Sequence, residues 1–202
     1  VLRTNKQGTI QIILEDQTRF VVGPSTEISI DIAAIGQSSK FKKLSIGVAG
    51  GTMRFLSGFS NKENYEVNTP SSTMGIRGTV FDVVVSDTSD NYVVFNGEVR
   101  LCSGRDTGLG ACSRLPSSCV VATVDRQSIE ARADQRREIQ KFPLLKRQER
   151  LLPEFRADTS NCGGLVAVVN TPDSPGRPGA PETPETPDKP DRPDRPDKPD
   201  RP

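Results

Sequence analysis

The chain has 202 residues, enough for one domain with a core plus an appendage. Its 27 basic and 26 acidic residues leave a net charge of +1, which excludes the one-signed footprint of a nucleic-acid binder. It contains no histidine, which excludes Ser-His-Asp and Cys-His nucleophile pairs and His-bearing zinc sites.

Alternation with a period of two runs through the N-terminal half. In GTIQIILED, Ile10, Ile12 and Leu14 share one face, and Asp16 reads as a hairpin-turn residue rather than a catalytic base. Phe20 and Val22 follow, with a turn at Gly23-Pro24, and Ile28, Ile30 and Ile32 form the next set. Leu44, Ile46 and Val48 lie on one face of a strand that Gly50-Gly51 is expected to break, before Met53 and Phe55 begin another. NYEVNTP is a short strand ending at Pro70, while TVFDVVV and YVVF are apolar enough to be buried on both faces. Asn96-Gly97, between YVVF and EVRLC, has the composition of a two-residue hairpin turn. Residues 1–102 are therefore expected to form an all-β domain, either a compact β-sandwich or a short β-solenoid.

Residues 103–170 are expected to form a Cys-containing extension packed on that domain. CVVATVD, SIEARAD and GGLVAVVN read as further strands, and LLKRQERLL, between Pro143 and Pro153, as two turns of helix. The charged residues from Asp125 to Asp158 read as a solvated surface. From Pro172 to Pro202 every third residue is proline, the period of polyproline II. Residues 171–202 contain no Leu, Ile, Val, Phe or Tyr, so they are expected to be a disordered, solvated spacer.

Cys102, Cys112, Cys119 and Cys162 match no zinc-ligand spacing, and their even number favours two disulfides and an oxidising compartment. Their pairing is open among three connectivities. GVAGGT lacks the dinucleotide fingerprint, and Asp87, Asp90 and Asn91 in SDTSDN read as a turn rather than a calcium loop. No cofactor and no metal are implied.

TPSSTMGIRGTVFDVVV, residues 69–85, holds the densest motif. Pro70 ends one strand, and Gly75 and Gly78 permit positive φ or close backbone contact. Arg77 lies between them on an expected turn, where an arginine at the lip of a core pairs with a carboxylate or donates to loop carbonyls. On that reading Arg77→Ala lowers stability by about 1–3 kcal/mol.

Taken together, these residues resemble the FecR-domain family over about residues 7–102. GTIQIILEDQTRFVVGPSTEISI is similar to its strand, turn and strand opening, and GGTMRFLSG to its glycine-led strand. YEVNTPSSTMGIRGTVFDVVV resembles its signature through Thr69, Pro70, Gly75, Arg77, Gly78, Thr79 and Phe81, and VVFNGEVRLC its closing hairpin at Asn96 and Gly97. LEDQT departs mildly, since the family more often has DGS or DGT there. The resemblance implies an extracytoplasmic module, best known from transmembrane regulators that relay an outer-membrane transporter's signal to an anti-sigma system. This chain shows no apolar run of the roughly 18 residues a membrane helix needs.

The expectation is a non-enzymatic periplasmic or cell-surface module that contacts an envelope protein or cell-wall component, its signal peptide removed before Val1. One alternative is a structural envelope protein with a proline-rich spacer arm. Another is a polysaccharide-acting enzyme, which needs two carboxylates about 5–10 Å apart in one cleft.

Overall fold

The computed structural model describes residues 1–33, 40–104, 112–116, 119–132, 138–160 and 162. Among these, eleven strands join one hydrogen-bonded sheet. They are β1 Leu2–Arg3, β2 Ile10–Ile13, β3 Arg19–Val22, β4 Glu27–Ile32, β5 Leu44–Leu56, β6 Tyr65–Asn68, β7 Ser72–Val85, β8 Asp90–Ser103, β9 Cys112–Pro116, β10 Val121–Val124 and β11 Ile129–Arg132.

Three of these strands are long, and each changes neighbours halfway. Residues 44–50 of β5 pair with β4 and residues 44–47 also with β6, in parallel, whereas residues 51–56 pair with β7 and residues 53–56 also with β3. In β7, residues 73–75 pair with β6 and residues 80–85 with β5. In β8, residues 90–93 pair with β10 and residues 98–102 with β9. The sheet thus folds into two layers joined by continuous strands. Both layers supply one core, which includes Leu44, Ile46, Val67, Met74 and Val99 from the first layer and Phe20, Phe55, Phe81 and Tyr92 from the second. Phe55 stacks on Phe81 and meets Tyr65 edge-on at the centre. The expected all-β fold is thus one large mixed sheet folded round a shared core, with the alternating Ile, Leu and Val positions turned inward except Ile32, which is exposed at the end of β4.

Three expected turns or breaks are corrected. Asn96-Gly97 closes no hairpin, because both residues lie inside β8. The segment Gly75 to Thr79 is likewise interior to β7, and Gly50-Gly51 is interior to β5. Glycine at these sites bends a strand round the corner between layers instead of ending it. Pairing between β7 and β8 slips from Arg77↔Glu98 to Val80↔Asn96, with Gly78 at φ +67° and Gly97 at φ +79°. A Cβ on Gly97 would stand 2.1 Å from the Gly78 carbonyl oxygen, so the two corners nest only without side chains.

The other face of the second layer is covered by residues 138–160 with Cys162. A short helix at Pro143–Lys146 and 3₁₀ turns at Ile139–Lys141, Gln148–Arg150 and Pro153–Phe155 form a strap. Ile139, Phe142 and Leu145 pack on Val93, Phe95 and Val121, and Leu144, Leu151 and Phe155 on Val21. The segment expected to be a solvated surface therefore splits by residue type, with most of its apolar side chains buried, Leu152 excepted, and most of its charges outside. Polar side chains of three strands fasten it. Gln11 Oε1 accepts from Leu152 N–H at 2.9 Å, Arg19 donates to the Glu154 carbonyl at 2.9 Å, and Arg54 donates to the Phe155 carbonyl at 3.4 Å. The expected strand GGLVAVVN and the proline-rich spacer lie outside the described residues.

Arg54 and Asp82 are directly opposed on β5 and β7, and both side chains are fully buried. Their two hydrogen bonds measure 2.6 and 2.8 Å, a bidentate fork between planar groups. Arg54 also donates to Gln148 Oε1 at 3.2 Å and lies 5.4 Å over the Phe95 ring. This is the buried arginine–carboxylate pair that sequence reasoning assigned to Arg77. Arg77 itself is exposed on the outer face of the first layer, so its expected structural role is withdrawn. The signal for the true pair was Asp82, a lone acid within VFDVVV, since a carboxylate buried on both faces requires a cation.

Arg54→Ala is expected to cost about 3–5 kcal/mol in urea melts, because Asp82 is left buried and unpaired. The double change R54M/D82L removes both charges and should return stability to within about 2 kcal/mol of wild type. Arg77→Ala should move it by no more than about 0.5 kcal/mol. Gly97→Ala should cost about 2–4 kcal/mol through strained φ and the clash at the corner.

Candidate functional site

The motif around residues 69–85 is a junction rather than a pocket. Thr69 sits where β6 turns into β7, with its side chain buried. Its Oγ1 accepts from Ser72 N–H at 3.0 Å and bonds Asp90 Oδ2. Ser72 Oγ in turn meets the Tyr92 hydroxyl at 2.6 Å. Pro70 lies in the turn, Gly75 and Arg77 on the outer face of the first layer, and Gly78 at the corner. Thr79 is buried, its carbonyl accepting from Ser57 N–H at 3.0 Å, and Phe81 is a centre of the core. The family-type residues thus sit along one bent strand without converging on a cleft.

Asp16 anchors a second buried junction. Its carboxylate accepts from Thr18 N–H at 2.9 Å, Thr18 Oγ1 at 2.8 Å and the Tyr65 hydroxyl at 2.6 Å, tying the β2–β3 turn to β6. Burial alone would raise the Asp16 carboxyl, but hydrogen bonds from Tyr65, Ser60 and Thr18 bring it below the usual carboxylate range. Asp90 behaves oppositely. Burial raises its carboxyl, and the hydrogen bond from Thr69 offsets only part of that. Its second oxygen, Oδ1, is buried without a hydrogen-bond partner.

A shallow trough of about 380 Å³ opens on the outer face of the first layer, lined among others by Glu27, Ser29, Gly47, Glu66, Asn68 and Thr73. It brings two carboxylates to one depression, as the polysaccharide-enzyme alternative requires. Both are already engaged. Arg3 grips Glu27 through bonds of 2.8 and 2.9 Å, and Glu66 accepts from Asn68 at 2.6 Å and lies 3.4 Å from Lys43. The Arg3 hydrogen bond holds Glu27 below the usual carboxylate range, the reverse of what a general acid for glycoside cleavage needs.

The four cysteines form two disulfides, Cys102–Cys112 and Cys119–Cys162. Cys102–Cys112 staples directly opposed residues of β8 and β9 on the outer face of the first layer. Cys119–Cys162 is fully buried among the side chains that join the strap to the second layer. Among the described residues no three His, Cys, Asp or Glu side chains gather as a metal site, and no helix is long and apolar enough to cross a membrane.

The two buried aspartates predict opposite pH dependences. Asp16, lowered in the fold, contributes stability that is present above its unfolded pKa and lost as pH falls through its folded value. Asp90, raised in the fold, favours the native state below its unfolded pKa, and that advantage is lost as pH rises through its folded value. In urea melts from about pH 3 to 8, Asp16→Asn should fall further behind wild type as pH rises from the acid end. Asp90→Asn should gain on wild type over the same climb. Equal slopes for both variants would refute the assignment.

Comparisons agree with this architecture. The model of the FecR family, described as FecR protein, matches residues 1–100. Two crystal structures of a proposed anti-sigma factor from Parabacteroides distasonis ATCC 8503, at 1.65 and 2.50 Å resolution, share 16% identity with the chain. Their TM-scores are 0.49 and 0.52, over 65% of this chain and 58% of theirs. At that identity, the likeness with TM-score 0.52 speaks to the fold alone. The chain thus spans less than two thirds of the length of those proteins. No curated protein matches it. Over residues 1–100, the chain belongs to the FecR family.

Proposed function

We propose that this chain is a non-enzymatic, extracytoplasmic module that works through protein–protein contacts, as part of an envelope signalling route. The observation that carries this reading is the engagement of its acids. Asp16, Asp82 and Asp90 hold strands and turns together inside the fold, and the two carboxylates of the outer trough are ion-paired. What the molecule offers a partner is broad sheet surface and strand edges, the material of protein recognition. The FecR-family domain supports the signalling context. Two disulfides support an oxidising compartment, hence a periplasmic or cell-surface location.

Intact native cells treated with a crosslinker that does not cross the inner membrane are expected to yield a discrete adduct between this chain and one other envelope protein. Alkylation without reductant, followed by intact-mass measurement, should add nothing to the four cysteines. No adduct, or four alkyl additions, would overturn the reading.

A further inference from the structure

The outer face of the first layer carries an arginine group that the fold itself does not use. Along β7, β8 and β9, the buried residues Met74, Ile76, Val99, Leu101 and Leu115 alternate with outward ones. Arg77, Arg100 and Arg114 are among the outward set, and all three are exposed. Arg100 stands directly opposite Arg114 across the β8–β9 pair, and Arg77 directly opposite Glu98 across the β7–β8 pair. Arg114 Nη1 reaches Glu98 Oε1 only at 3.9 Å, with the arginine side chain 69% exposed. One carboxylate is therefore set among three guanidiniums. Lys62 adds charge at the same end, its Nζ 2.8 Å from where a Cβ on Gly78 would stand.

Like charges opposed across paired strands oppose pairing, yet this register is held covalently. Cys102 and Cys112 are themselves a directly opposed pair, two positions from Arg100 and Arg114 on the same face. On the other side of Arg100, its β7 neighbour is Gly75, where a Cβ would meet nothing within 4 Å, so the guanidinium is not walled in. The disulfide fixes the spacing of a cationic row in which Arg114 has a long ion pair with Glu98, and Arg77 and Arg100 have no ion pair among the described residues.

We propose that this row, Arg77, Arg100 and Arg114, docks an extended acidic segment of a partner protein, an inference that rests on the protein-binding reading above. Guanidinium forks match carboxylates in bidentate geometry. Three adjacent strands place the arginines across roughly 10 Å, and an extended chain presents successive same-side residues about 7 Å apart, so several carboxylates can engage at once. The three guanidiniums are exposed and spread over three strands, which suits a polymer better than a small anion. Among the described residues the large exposed apolar side chains are Val1, Ile13, Ile32, Phe59 and Leu152, none of them on these three strands, so these strands offer a lipid surface no apolar anchor.

The test uses the full chain and a fluorescein-labelled peptide of alternating glutamate and threonine, read by fluorescence anisotropy at low salt. Saturable binding is expected, weakened roughly tenfold or more in R100Q/R114Q, tightened in E98Q, and lost near 0.5 M sodium chloride. R77Q/R100Q, which leaves β9 untouched, should show the same loss, and both variants should keep their urea midpoint. Equal affinity in both variants would overturn the proposal. So would stronger, arginine-dependent binding to phosphatidylglycerol vesicles than to the peptide. If the crosslinked adduct forms at wild-type yield with R100Q/R114Q, the protein-binding reading stands and this face is not the site. If wild type itself gives no adduct, that reading falls.

Discussion

Everything on the strap side of this molecule is organised around the fork between Arg54 and Asp82. Two charges fully removed from water are costly, and the cost is tolerable only when every donor and acceptor finds a partner. Here the carboxylate takes one donor each from Nε and Nη2 of the guanidinium, while Nη1 reaches the strap at Gln148 and Phe155. The pair therefore requires the strap, and the strap gains from it a specific seat that apolar contact alone would not define. Phe95 beneath the guanidinium completes the enclosure. β5, β7 and β8 are linked through one ionic centre to the strap, whose Gln148 lies 94 residues beyond Arg54 in the chain.

The second organising constraint is the corner. Three strands run unbroken from one layer to the other, so their bends must coincide in space. The glycines at these bends let backbone touch backbone, and the stacking of Gly97 on Gly78 shows how little room remains. Continuous strands also explain the position of the two tyrosine–aspartate junctions. Asp16 with Tyr65 lies at the turn between β2 and β3, and Asp90 near Tyr92 at the start of β8 beside the β6–β7 turn, where side chains satisfy what the backbone does not.

Much of this was legible in the sequence, because period-two alternation is a direct record of which side chains face a core. Ile10 and Ile12, Leu44 with Ile46 and Val48, and Met53 with Phe55 all point inward as their spacing required. The corners were not legible in the same way. Asn-Gly suits a positive φ whether the chain reverses or merely bulges, and only the partner strand decides between the two. Arg54 was overlooked for a related reason. Its face of β5 reads as solvent-facing until the strap is in place, and the strap itself, rich in charge, reads as surface. The cysteines were informative about redox state from their number alone, whereas their pairing depends on the register of β9, which no local pattern specifies.

The strap has a consequence for how such proteins change over evolutionary time. The recognisable family segment stops at residue 100, inside β8, while the apolar outer face of its second layer is sheltered by residues some fifty positions further on. A gene segment encoding only the family stretch could not be shuffled into a new setting as a self-sufficient unit, because it would arrive with Val21, Val93 and Phe95 uncovered. Whatever lineage acquires the domain must also acquire, or invent, something to lie over that face. Diversity among such proteins is then expected to concentrate in the covering segment, which is free to vary in design as long as it shelters the same patch.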